Sequence, residues 1–267
     1  MLREELEKAR IDRNKKTAKR RKAEKKEQNN ARNGLKSGGN GGIIKSEAQS
    51  ELGTFKQKLQ SDKRVSKEYY NIVKNKFSKG SDTAKKVFNK YIPKKSVENA
   101  YFEGIPHYSP SNKSIFMNFT TDLTNSRGAG ATWFHEHGHM IDAVCGTVSN
   151  NSDFAKLLYD DYLAYMKAYG KRNGLKTFDK VQAAISKDLS SMREHSAVAD
   201  LLNGISKGNI LGVAGHSPGY WEDDSVLCSE AFAHMFEAQF DEKRYKQMQK
   251  YFPNALSKFE KMLGGLV

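Results

Sequence analysis

Three histidines and a glutamate fall within five consecutive positions, His135-Glu136-His137-Gly138-His139, inside the stretch TWFHEHGHMIDAVCG at 132–146. On a helix, residues four apart share a face, about 40° apart around the axis, so His135 and His139 stack while His137 points away. The spacing is H-E-x-x-H. It places two imidazoles to grip zinc, with the adjacent Glu136 carboxylate as general base for a metal-activated water. Such a pair leaves zinc one protein ligand short, and that ligand must be a carboxylate, histidine or cysteine on another buried element.

Glu230 is the leading candidate. It sits among Ala231, Phe232, Ala233, Met235 and Phe236, and a carboxylate on so apolar a helix needs a partner to offset its burial. A metal would serve; a place on the solvent side of an amphipathic helix is the alternative. Glu237, seven positions on, lies on nearly the same face. Asp142, three residues beyond His139, is either a ligand or an acceptor that orients an imidazole through its distal N–H. Three ligands on successive turns of one helix strain to reach one tetrahedral metal, which favours the orienting role over direct ligation. A plain surface carboxylate is the third reading.

His107 and His195 have no partners in the pattern and read as structural. Cys145 and Cys228 read as buried, inert thiols, although sulfur is chemically able to bind zinc. His216 and Tyr220, in a Gly-rich loop just before the glutamate helix, are the nearest donors in sequence for a developing oxyanion; a packed loop anchor is their other reading.

These residues need elements to hold them. Residues 1–36 are rich in helix formers but nearly lack apolar positions, and SGGNGG at 37–42 is a flexible break. From 44 to 92 the pattern is helical, with Tyr69, Tyr70, Ile72, Val73 and Phe77 as one stripe and Val87, Phe88 and Tyr91 as another, ending at Pro93. The period then switches. Ile115, Met117 and Phe119 alternate with polar residues, predicting a hairpin over 100–119 whose strand 114–119 presents an edge to an extended peptide. The histidine helix should stop at Gly146. Helices are predicted over 153–169, 177–190 and 196–205, then over the run SVLCSEAFAHMFEAQFD with Asp223 and Asp224 as caps. Two short helices split near Pro253 complete the chain. The expected class is α+β, mostly helical, with a small β-hairpin or sheet behind a basic helical N-terminal arm.

The charge supports a division. Residues 1–100 hold 28 Lys/Arg against 12 Asp/Glu, whereas 101–267 hold 17 against 19. So uneven a surplus implies an acidic partner such as DNA for the N-terminal half, or else a lysine-rich solvated helix. The organisation reads as an arm at 1–42, a helical region at 43–97 and a domain at 98–267. Two cysteines imply no disulfide framework and fit a reducing compartment. MLREELEKAR is unlike a signal peptide, and no stretch approaches a membrane span, so a chain without a membrane partner is expected.

HEHGHMID followed by EAFAHMFEAQF resembles gluzincin metallopeptidases of the anthrax-lethal-factor type, whose third zinc ligand lies in a motif of form E-x-F-A-E. The resemblance puts Glu230 on that ligand, Phe232 and Ala233 on the apolar pair, and His234 where the family often has a second glutamate. GHSPGYW at 215–221 and KYFPNALSKFEKML at 250–263 are similar, together with EAFAHMFEA, to the C-terminal region of phage minor head (head morphogenesis) proteins. The likeness covers about 98–267 and implies a zincin-like metallopeptidase domain. Residues 1–92 look like the tail end of the helical region that precedes it, so Met1 reads as an internal start. The implied setting is the bacterial host cytoplasm or the virion head, with portal or other head proteins as partners. A zinc endopeptidase acting on a protein substrate is the first expectation. A virion component whose metal only staples the fold while its basic half contacts DNA or portal is the second, and a delivered toxin protease the third.

Overall fold

The computed structural model describes residues 66–267 apart from Lys94 and Ala100. The arm at 1–42 and the beginning of the helical region at 43–65 lie outside the described residues. The first two helices are α1 (Lys67–Lys79) and α2 (Asp82–Tyr91), capped by Ser66 and Ser81, whose hydroxyls accept the N–H of Tyr69 and Ala84. α1 buries Tyr69, Val73 and Phe77; α2 buries Ala84, Val87 and Phe88. Among the described residues, the helical run expected to reach 92 is broken at Gly80, where a Cβ would lie 2.3 Å from the Phe240 ring.

The hairpin forms from β2 (His107–Ser109) and β3 (Ser114–Phe116), antiparallel with Tyr108 opposite Ile115. β1 (Val97–Asn99) adds a parallel strand on the other side of β3, giving the order β1-β3-β2. This corrects the expectation for strand 114–119. β3 is central with both edges paired, so it has none to offer a peptide; β1 and β2 are the edge strands, and β2 lies on the Glu136 side. The boundary drawn between 97 and 98 falls inside β1.

The remaining helices are α3 (Phe119–Leu123), α4 (Ala131–Val144), α5 (Ser152–Arg172), α6 (Phe178–Ser190), α7 (Ser196–Ile205), α8 (Asp224–Ala238), α9 (Glu242–Tyr251) and α10 (Pro253–Gly264). The class is α+β, mostly helical, with one small three-stranded sheet among the described residues. α8 is buried on every side from Glu230 to Ala238, as a central helix must be. α4 packs against it. Phe88 meets Trp133 at 5.2 Å and Phe77 stacks on Phe240 at 5.7 Å, so α1 and α2 share the core of the histidine helix. On the far side, Asp161 of α5 holds the start of α10 by accepting the N–H groups of Asn254 and Ala255, both at 2.9 Å. Among the described residues no helix is long and apolar enough to cross a membrane.

Candidate metal centre

α4 begins at Gly130, whose φ of 78° suits a residue without a side chain. The Gly130 N–H donates to Asp122 Oδ2 at 2.9 Å, and the same oxygen accepts the Tyr69 hydroxyl at 2.8 Å. The helix start is thereby tied to α1 and α3. It ends at Val144, with Gly146 at φ 84° closing the turn where the sequence placed the stop. His137 points away from the other two imidazoles, as its spacing requires. Its ring nitrogens bond to Trp133 O at 2.6 Å and Ser96 Oγ at 2.7 Å, making it a core anchor between α4 and the segment entering β1.

Gly138 sets how closely the two site helices approach. A Cβ there would lie 2.8 Å from the Ala233 Cα and 3.2 Å from the Ala233 carbonyl oxygen, backbone atoms that cannot swing aside. Gly138→Ala should cost about 1–3 kcal/mol through overpacking. It should also weaken metal retention, because α8 carries Glu230. Thermal melts and metal content of the variant check both; an unchanged melting temperature would mean the helices have slack.

The close crossing assembles a triad. His135 Nε2 and His139 Nε2 are 3.2 Å apart, and Glu230 Oε2 lies 3.3 Å from the first and 3.5 Å from the second. Ligand atoms on a tetrahedral zinc, at bonds of about 2.0–2.2 Å, must be separated by about 3.3–3.6 Å. The three side chains are thus spaced as ligands of one ion. Burial and the neighbouring His234 depress the His135 imidazole to about 3, leaving it neutral with a lone pair to offer. Burial opposes charge on His139, but Glu230 and Glu136 outweigh it and raise the imidazole to about 9. Burial likewise opposes ionisation of Glu230, yet His139 and His135 hold its carboxyl well below the usual carboxylate range.

Two other groups, His135-His234-Glu237 and Asp200-Glu230-His234, also bring metal-binding side chains together. Most of their atoms have a nearer partner, although His135 Nδ1 makes no hydrogen bond. Asp200 accepts from His234 Nε2 at 3.0 Å and from His216 Nδ1 at 2.9 Å. Glu237 faces Arg127 Nη2 and Arg244 Nε, each at 2.8 Å. Those clusters are held largely by ion pairs, and the His135-His139-Glu230 triad, with its three atoms 3.2–3.5 Å apart, is the better-formed metal site.

No protein family, curated protein or solved structure matches this chain. The site's chemistry is read from its own geometry.

Glu136 follows His135 on the cleft side of α4. Its Oε2 accepts the Tyr108 N–H at 2.9 Å, so the edge strand β2 fixes one carboxylate oxygen. Burial raises the Glu136 pKa, with His139 working against the rise and Glu230 adding to it. Asp142 does not reach an imidazole directly. The chain after α4 folds back so that Ser149 donates its N–H and hydroxyl to Asp142 at 2.8 and 2.6 Å. Ser229, hydrogen-bonded to Asp142, instead meets His139 Nδ1 at 3.1 Å. The expected orienting role is thus relayed through a serine on α8.

The cleft beside the triad has a volume of about 800 Å³ and is walled by α4, α8, β2 and the loop before α8. Tyr220 and His216 reach it together, their rings stacked at 4.0 Å. The Tyr220 hydroxyl donates to Glu230 Oε1 at 2.6 Å, so it holds the ligand oxygen that faces away from the imidazoles. α7 holds this loop in place. Asp200 binds His216, while Asn203 Nδ2 donates to Ile210 O at 2.9 Å and its Oδ1 accepts Trp221 Nε1 at 2.7 Å. Gly215 lies so close to Asn203 that a Cβ would be 2.8 Å from its side chain.

Asp200, Asn203, Ser229, Arg127 and Arg244 were not among the residues singled out from the sequence. The available signal for the first two was polarity at three-residue spacing inside the apolar run SAVADLLNGI. His107 stacks on Phe116 at 5.1 Å, His195 sits 6.1 Å from the Tyr251 ring, and Cys145 and Cys228 are in no disulfide and lie outside the triad.

Proposed function

We propose that the chain is a zinc-dependent endopeptidase in which His135, His139 and Glu230 hold the ion and Glu136 is the general base. The observation that carries this reading is the triangle of 3.2, 3.3 and 3.5 Å between donor atoms of the buried His135 and Glu230 and the partly buried His139, with a buried carboxylate adjacent and a cleft in front. Zinc bound there supplies Lewis acidity, lowering the pKa of a water from 15.7 to roughly 7. Glu136 takes the proton of the attacking water on Oε1, since Oε2 is occupied by the Tyr108 N–H, and delivers it to the leaving nitrogen. Tyr220 remains a donor, because burial and the Glu230 carboxylate both raise its phenol pKa. Its single O–H is given to Glu230 Oε1, so the developing oxyanion is assigned to His216, joined by Tyr220 when that hydroxyl turns from Glu230. The outer edge of β2 runs beside Glu136, which takes the Tyr108 N–H, so an extended substrate would lie along that strand and pair with its remaining main-chain groups.

The zincin-like identity of the fold and the phage-head setting rest on the motif resemblance at 135–142, 215–221, 230–240 and 250–263. The triad chemistry does not depend on either. The test of activity is direct. Hydrolysis of an unstructured protein such as casein should stop when a chelator removes the metal and return when zinc is restored. Hydrolysis that is insensitive to complete metal removal would refute the reading.

A further inference from the structure

The triad and Glu136 account for only part of the cleft. Arg127, Ser196 and His234 line another part of it, beside the faces of His135 and Asp200 that turn away from the triad. The Glu237 carboxylate, 1 % exposed, serves two guanidiniums, Arg244 Nε on Oε1 and Arg127 Nη2 on Oε2, both at 2.8 Å. Arg244 is sealed in the core, with Nη2 donating to the Arg127 carbonyl. Arg127 keeps a side chain 23 % exposed, and its Nε has no hydrogen-bond partner. The Ser196 hydroxyl, on a residue 5 % exposed, is also without one. Arg127 shares the one carboxylate it hydrogen-bonds with Arg244, while Asp200 and Glu136 act on it only through space, and it lines the cleft with donors to spare for an anion. Its planar fork of donors suits a carboxylate in particular.

We infer that the Arg127 end of the cleft is an anion subsite that binds a carboxylate of the peptide substrate, either an acidic side chain or the free C-terminus. This rests on the peptidase reading for the nature of the substrate, but the subsite itself does not require catalysis. Arg127 lies past His234, whose Nδ1 is 3.5 Å from Nη2, so it meets a group outside the scissile bond and acts on selectivity. Asp200 and Glu136 keep anions from the rest of the cleft, so the preference should be confined to one position.

The experiment uses two readouts on the zinc-loaded full chain. Short peptides blocked at both ends are made in pairs with glutamate or glutamine scanned along them, and a further pair differs only in a free or amidated C-terminus. Binding is measured by fluorescence anisotropy on Glu136→Gln, and cleavage by mass spectrometry on the native protein. Glutamate at one register, or the free C-terminus, should bind about tenfold to a hundredfold tighter than its neutral twin. That gap should close in Arg127→Gln and persist in part in Arg127→Lys, with zinc content as the check that both variants are folded. Which pair shows the gap identifies the source of the carboxylate. A binding gap without any cleavage would overturn the peptidase reading and leave the subsite standing. Equal binding of every charged and neutral pair by Glu136→Gln, or a gap that survives in a zinc-loaded Arg127→Gln, would overturn the subsite. The native comparison of paired peptides decides the matter even if the Arg127 variants do not fold.

Discussion

Glu136→Gln should retain its zinc and lose about 10²–10⁴-fold in the rate of peptide hydrolysis. The amide has nearly the shape of the carboxylate and still offers an oxygen to the Tyr108 N–H, now at 2.9 Å from Oε2, so β2 should stay docked. What disappears is the proton acceptor on the other atom. The triad atoms are untouched, and metal content should match the native protein. The comparison therefore separates binding the ion from using it. Activity within a few-fold of native would remove Glu136 as the base. Loss of metal together with activity would instead mean that the substitution had disturbed the triad through the helix that carries it.

Glu237→Ala should destabilise the fold by about 3–5 kcal/mol, the cost of leaving buried charge without its partner. The carboxylate is held well below the usual range: burial opposes its charge, but Arg244 and Arg127 prevail. Removing it strands the buried Arg244 guanidinium and takes its hydrogen-bonded carboxylate from the partly exposed Arg127. The damage should reach the site, because Glu237 Oε2 lies 3.5 Å from His234 Nδ1 and 3.7 Å from His135 Nδ1, and those rings pack at 4.4 Å. Urea unfolding measures the loss. A double variant that also replaces Arg244 with methionine should recover part of it, since a removed pair costs less than a broken one. A single-variant loss under about 1 kcal/mol would show that water reaches these guanidiniums and screens them.

The parts of this site that were legible in the sequence are the parts fixed by local geometry. His135 and His139 face together because the helix repeat dictates it, and His137 turns into the core for the same reason. Glu230 was legible as a carboxylate in an apolar helix, and it stands within reach of both imidazoles. The residues that position the site were less visible, because their meaning is set by what packs against them. Asp200 and Asn203 are ordinary polar residues until α7 lies under the Gly-rich loop; then one holds His216 and the other clasps Ile210 and Trp221. Gly138 reads as a weak point in a helix until Ala233 is found against it.

The sheet shows the same limit. The hairpin followed from alternation at Ile115 and Met117, but β1 has only three residues and pairs in parallel with a strand that begins at Ser114. Nothing in so short a run announces its partner. Its presence turned β3 from an edge into the centre and left β1 and β2 as the edges. The Asp142 reading failed in detail for a related reason. Helical spacing placed it below His139, but the backbone turn that brings Ser149 onto its oxygens is a tertiary event.

The claim on which the rest depends is that His135, His139 and Glu230 bind one ion together. Zinc per chain, measured by elemental analysis after dialysis against metal-free buffer, tests it most directly in the native protein, His139→Ala and Glu230→Ala. The native chain should hold about one zinc, and each variant should lose most of it, since two protein ligands do not make the three-ligand site that zinc catalysis uses. Folded variants that keep stoichiometric zinc would contradict the claim and take that residue out of the metal's coordination.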